Sequence, residues 1–186
     1  MASTIKTNNI TGFSGGAGSA PITLSGDTAT LGTGTTLGSG VIFTRPAFLV
    51  QASAMSNLSV GSDITLDYDT VIKNLGGGTF ASNTYTAPVS GLYQINATTY
   101  FSGYPNNITS VQMKIVTSNR TIRKHYGRYL NAEHPTNYTQ SLNISSVVDL
   151  DANDTCKIQY LQTGGSAAAD LNVADSYFSG FLVSNY

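Results

Sequence analysis

The chain has 186 residues, 40% of them hydrophobic and only 10% Asp, Glu, Lys or Arg, against roughly 25% charged in an ordinary globular domain. Its net charge of −1 supplies no long-range field to steer it toward nucleic acid or an anionic membrane, and no run approaches the ~18 apolar residues that span a bilayer. With one cysteine, Cys156, an intrachain disulfide is excluded, and a length suited to one domain plus an appendage must fold without covalent staples.

Residues 1–40 differ from the rest of the chain. Nine are Gly and nine are Thr, Phe13 is the only aromatic, and only Lys6 and Asp27 carry charge. Such a stretch buries too little apolar surface to offset its own ordering entropy. Within it, Thr30-Leu31-Gly32-Thr33-Gly34 is followed by Thr36-Leu37-Gly38-Ser39-Gly40. Two readings stand: a loose Gly/Ser/Thr-rich extended arm, or a short stalk in which Ile22, Leu24, Leu31 and Leu37 meet copies from two other chains. The opening residues Met1 to Asn9 hold no apolar stretch of signal-peptide type, so synthesis and assembly in a cytoplasm are expected. Eight Asn-x-Ser/Thr triplets, including Asn57, Asn107 and Asn143, arise naturally in a chain rich in these residues and are not read as glycosylation sites.

From residue 41 to 186 the pattern alternates with period two, and no helical period lasts. Strands are predicted over 48–53, 63–74, 85–86, 91–101, 110–118, 121–128, 140–149, 155–163 and 178–184. Turn chemistry separates them at Gly76-Gly77-Gly78, Pro88 to Gly91, Tyr104 to Asn107, Asp151 to Asp154 and Gly164-Gly165. So many short strands in one head predict an all-β antiparallel sandwich or jelly roll. In 91–101, Tyr93, Ile95 and Ala97 share one face. In the last strand Phe178, Gly180 and Leu182 share one face, while Phe181 and Val183 lie on the other. Both faces of that strand are apolar, so it should be covered on both sides, by the core and by a second subunit.

Three stretches carry a resemblance. Asp67-Tyr68-Asp69-Thr70-Val71-Ile72-Lys73-Asn74, a glycine run, and Tyr85-Thr86-Ala87-Pro88-Val89-Ser90-Gly91-Leu92-Tyr93 form the first. The second is Leu150 to Asp154 followed by Cys156, Ile158 and Tyr160, and the third is Ser176-Tyr177-Phe178-Ser179-Gly180-Phe181-Leu182. In this order they resemble the C1q-domain family, related in fold to tumour necrosis factor. The resemblance implies a C1q/TNF-like jelly roll closed into a homotrimer about a threefold axis. Tyr93, Ile95, Phe178, Phe181 and Leu182 are then the expected core and trimer-interface residues.

The remaining chemistry is sparse. Cys156 alternates with Ile158 and Tyr160, as a buried inert thiol would. His125 and His134 have no metal-ligand spacing, and no metal is expected of them. Asp149 to Asp154 begins like a calcium loop, but Asp154 replaces the required Gly and Tyr160 the closing Glu, which favours a polar turn. Some relatives bind calcium near the trimer top. Calcium at Asp63, Asp67 and Asp69 therefore stays open, with no ligand mapped residue by residue and no other cofactor implied.

Five of the nine basic residues fall in 114–128: Lys114, Arg120, Arg123, Lys124 and Arg128. His125, Tyr126 and Tyr129 lie among them, and Tyr138 is close by in sequence. Such a hairpin is either a basic solvent face or a glycan- or anion-contact surface, since Arg and Tyr stack and donate several hydrogen bonds. No motif organises a catalytic site, so an enzyme is not expected.

The function expected from these features is a non-enzymatic virion protein of a bacteriophage. It would be a trimeric short fibre, or a capsid or tail decoration protein, whose residues 1–40 dock on other virion proteins while the head faces outward to host surface glycans. The opening Met1 to Asn9, with Ala20 to Gly26, resembles the starts of marine phage structural proteins. A secreted C1q-like lectin or ligand-binding head is the alternative. It fits less well, because residues 1–40 lack a collagen-like Gly-x-y period.

Overall fold

A computed structural model describes residues 45–126 and 138–185. Among these, eleven strands form and no helix does. They are β1 (Ala47–Ala52), β2 (Ile64–Thr65), β3 (Tyr68–Leu75), β4 (Thr79–Ala81), β5 (Thr84–Thr86), β6 (Gly91–Tyr104), β7 (Ile108–Thr117), β8 (Thr121–Tyr126), β9 (Tyr138–Leu150), β10 (Thr155–Gly164) and β11 (Asp170–Ser184). Every pairing is antiparallel. Sheet one has the order β3-β1-β11-β6-β9 and sheet two the order β4-β5-β10-β7-β8, with β2 added beside β10. The head is an all-β jelly-roll sandwich.

Alternation builds the core. Tyr93, Ile95 and Ala97 of β6, Phe178 and Leu182 of β11, and Phe48 and Val50 of β1 point inward from sheet one. Met113 and Ile115 of β7 and Cys156, Ile158 and Tyr160 of β10 meet them from sheet two. Phe48 stacks on Tyr85 of the opposite sheet with ring centroids 4.1 Å apart, and Phe178 meets Phe48 edge-on at 4.8 Å. Toward the other end Phe101 lies 4.7 Å from Tyr160, and Tyr104 stacks on Tyr138 at 5.2 Å. Aromatic pairs in these arrangements add about 0.5–1.5 kcal/mol each beyond their area burial.

The predicted strand 63–74 is in fact two strands in different sheets. Ile64 and Thr65 pair with β10, whereas residues from Tyr68 onward pair with β1. Between them the Leu66 amide donates to the Ile158 carbonyl (3.0 Å), and the Ser53 amide donates to the Asp67 carbonyl (2.7 Å). Leu66 and Tyr68 are both fully buried, so the chain keeps its inward face while exchanging hydrogen-bond partners at a corner. Side-chain period alone does not register such an exchange. The short β4 also escaped prediction, since three residues give too little alternation to read. The last strand starts at Asp170, not 178, because an irregularity between Asn172 and Tyr177 interrupts its pairing with β6.

The chain enters and leaves the head at one end. Arg45 donates through Nη1 to the Val183 carbonyl (3.0 Å), and the Leu182 amide donates to the Pro46 carbonyl (2.9 Å). Beside this end, Gly180 lets two large side chains close over β11. A Cβ there would lie 2.7 Å from both Ile95 Cδ1 and Phe48 Cε1. A Gly180→Val change is therefore expected to destabilise the head by about 1–3 kcal/mol. Urea unfolding should show a lower midpoint with an unchanged slope.

Candidate functional site

Strand β8, at the edge of sheet two, splits the basic cluster by alternation. Arg123 and His125 lie on the outer face of sheet two, paired in register with Lys114 and Gln112 of β7. Lys124 and Tyr126 turn the other way, toward β9 of sheet one. Lys124 donates through Nζ to Asn143 Oδ1 (2.8 Å), and its ammonium stands 5.1 Å from the centre of the Tyr126 ring. The Tyr126 hydroxyl donates to the Asn143 carbonyl and accepts from the Asn143 amide (2.7 Å). Lys124 and Tyr126 thus bridge the two sheets where their edge strands share no backbone ladder.

Arg120 sits in the turn before β8, at the opposite end of the strand from Tyr126, and donates through Nη2 to Asp149 Oδ2 (2.6 Å). Both partners are substantially exposed, so the pair contributes about 0–1 kcal/mol. Lys114 is the exception in the cluster. It is 5% exposed and pairs with Asp63. Arg128 and Tyr129, together with His134, lie outside the described residues. Of the seven side chains expected to form one contact surface, five are described. The fold disperses them over an end turn, a sheet-bridging network and an outward-facing pair.

The expected core and interface residues separate as cleanly. Tyr93, Ile95, Phe178 and Leu182 are buried in the core, while Phe181 faces out from sheet one and is 49% exposed. A row crosses that outer face in register: Ala47 of β1, Phe181 of β11, Gln94 of β6 and Val147 of β9. Val147 in the row is exposed, as are the apolar Leu92 and Val183 beside it. Next to it lies an amide and hydroxyl row. Ser145 Oγ donates to Asn96 Oδ1 (2.8 Å), and Gln94 Nε2 reaches both Asn96 Oδ1 (3.1 Å) and Ser145 Oγ (2.9 Å). Alternation in 91–101 and 178–184 sets Leu92, Phe181 and Val183 on the side away from the core residues, while Val147 was not singled out. Only the register places them side by side.

The acidic candidates are engaged separately. Asp63 pairs with Lys114, Asp67 accepts from Asn83 Nδ2 (2.7 Å), and Asp69 accepts from the Ser53 hydroxyl (2.6 Å). In the β9–β10 turn, Asp154 Oδ2 accepts from the Asp151 amide (2.9 Å) and from Asn119 (2.8 Å), and Asn153 takes a positive φ of 74°. These are the bonds of a polar turn. Among the described residues no three His, Cys, Asp or Glu side chains gather as a metal centre.

The sequence model of the C1q domain family matches residues 47–183, and this span coincides with the sandwich from its first strand almost to its last. The chain belongs to the C1q domain family. Among solved structures it is similar to the globular domain of zebrafish complement 1qA protein. The TM-score is 0.54 at 15% identity, and the match covers 76% of this chain and 99% of the other. That likeness carries the fold. No curated protein matches the chain.

Within the C1q-type core, Cys156 is fully buried, and desolvation pushes its thiol up to about 12 from an ordinary 9.0. Burial likewise raises Tyr68 and Tyr85 above the usual phenol range. A folded pKa above the unfolded one gives a contribution that is complete below the unfolded value and is lost as pH rises toward the folded one. Stability should therefore fall from about pH 9 upward, with Cys156 alone accounting for about 1 kcal/mol by pH 10. Urea midpoints measured from pH 7 to 11 are expected to decline, with a later onset in Cys156→Ala. A thiol reagent should label Cys156 only on unfolding.

Proposed function

We propose that the protein is a non-enzymatic virion component of a bacteriophage, a trimeric short fibre or a capsid or tail decoration protein. Residues 1–40 dock it on other virion proteins, and the head faces outward. It is assembled in the host cytoplasm. The observation that carries the trimer is the outer face of sheet one, where Phe181, Val147, Leu92 and Val183 stand 40–49% exposed on adjacent strands. An apolar row of this kind favours burial against copies of itself, at roughly 25 cal/mol per Å² of apolar surface. Membership of the C1q domain family, whose heads are generally ligand-binding and not catalytic, supports the non-enzymatic part. The very low charge and the Gly/Thr-rich residues 1–40 support the virion part.

A second reading is a ligand-binding head of complement type, favoured by the likeness to the zebrafish domain. The two separate by location: peptide mass spectrometry of purified phage particles should contain this chain under the first reading and lack it under the second. Light scattering on the full chain is expected to give three times the 19.5 kDa chain mass. A Phe181→Glu, Val147→Glu double variant should fall to one chain mass. A wild type with the mass of a single chain would remove the trimer and the fibre or decoration role built on it.

A further inference from the structure

The outer face of sheet two concentrates positive charge that the sequence spreads over more than forty residues. β10, β7 and β8 lie side by side, and their register places Gln159, Lys114 and Arg123 in one row. In the next row Lys157 pairs with Val116, which pairs with Thr121; on the other side Gln112 pairs with His125. Lys114 therefore has Arg123 directly opposite, at about 4.5–5.5 Å between Cβ atoms, and Lys157 and His125 on its diagonals at about 7–8 Å.

Like charges directly opposite in a sheet are destabilising. Here two such cations face each other in a chain with only nine Lys and Arg residues. Asp63 satisfies Lys114 alone, through an ion pair in which Lys114 is nearly buried and Asp63 remains 43% exposed. Among the described residues neither Arg123 nor Lys157 has an acidic partner. The groups interleaved with the cations include the amides and hydroxyls of Gln112, Gln159, Thr121 and Thr65, with Val116 and Leu161 the apolar members of the same face. Thr65 accepts from Gln159 Nε2 at 3.5 Å.

We propose that this face binds an acidic glycan, a polysaccharide bearing sulfate or carboxylate groups, with Arg123 and Lys157 as its principal anion contacts. Guanidinium and ammonium donors take the acidic groups, and the interleaved Gln and Thr side chains take sugar hydroxyls. A single-stranded nucleic acid would call for aromatic platforms on which bases stack. The two tyrosines of these three strands both turn away from this face, Tyr160 into the core and Tyr126 toward Asn143 of β9. This glycan site rests on the proposed outward-facing head, and it moves the contact from the whole basic hairpin to one sheet face that includes Lys157. Trimerisation would present three copies and raise weak affinity by avidity.

The test uses the full chain and its Arg123→Gln, Lys157→Gln double variant, with Lys73→Gln on sheet one as a control. Binding to immobilised dextran sulfate, neutral dextran and single-stranded DNA is measured across a sodium chloride series, with native mass recorded on the same samples. Wild type and Lys73→Gln should bind dextran sulfate in a salt-sensitive way and ignore neutral dextran, and the double variant should bind at least about tenfold more weakly. Undiminished binding by the double variant, equal binding to neutral dextran, tighter binding to DNA or no binding to dextran sulfate would each overturn the proposal. The mass reports the trimer separately, so a failed trimer and a failed glycan site cannot be mistaken for one another.

Discussion

Phe48 of sheet one lies flat against Tyr85 of sheet two, and Phe178 closes on Phe48 from the neighbouring strand. Much of the fold depends on holding these rings between two sheets. Gly180 must lack a side chain so that Phe48 and Ile95 can meet over β11. Tyr93, one strand further along, is fixed by its hydroxyl, which donates to the Val89 carbonyl (2.8 Å) and ties the 88–90 turn to β6. With no disulfide available, interlocking of this sort is what gives the sandwich a unique packing.

Burial of so many tyrosines requires their hydroxyls to be handled one by one. Tyr68 donates to the Thr98 carbonyl (3.1 Å). Tyr160 donates to Gln162 Oε1 (3.0 Å), and Gln162, itself fully buried, passes its amide hydrogens to the carbonyls of Gly164 and Ser166 (3.0 and 3.1 Å). That network fastens the turn after β10 to the core. The Tyr85 hydroxyl has no partner among the described residues, a deficit of about 1–3 kcal/mol set against the ring's packing on Phe48. Burial raises the pKa of Tyr68, Tyr85 and Cys156 alike, so ionising any of them costs packing of the shared core.

The two outer faces have diverged in chemistry. That of sheet one is apolar at the end where the chain enters and leaves, and becomes an amide and hydroxyl surface further along. This suits a contact with identical copies, where apolar groups drive association and amides define alignment. That of sheet two is mainly hydrophilic, interrupted by Val116 and Leu161, and carries the crowded cations. The shared aromatic core keeps the apolar outer face and the cation-bearing outer face on opposite sides of the head.

Much of this was legible along the chain. The faces of 91–101 and 178–184, the burial of Cys156 and the positions of most strands can be read from alternation and turn residues, because these are local properties of a half-buried strand. The polar character of the 149–154 turn was legible in its departures from a calcium loop. Neighbour relations were not legible, since they depend on which strands pair and in what register. Only the tertiary structure divides 63–74 between two sheets, turns Lys124 and Tyr126 away from Arg123, buries Lys114 against Asp63, and brings Lys157 up to the basic hairpin. The sequence by itself determined an alternating all-β head with one doubly apolar strand. Cross-strand register, a long-range property of the folded chain, decided which of its outward side chains stand together.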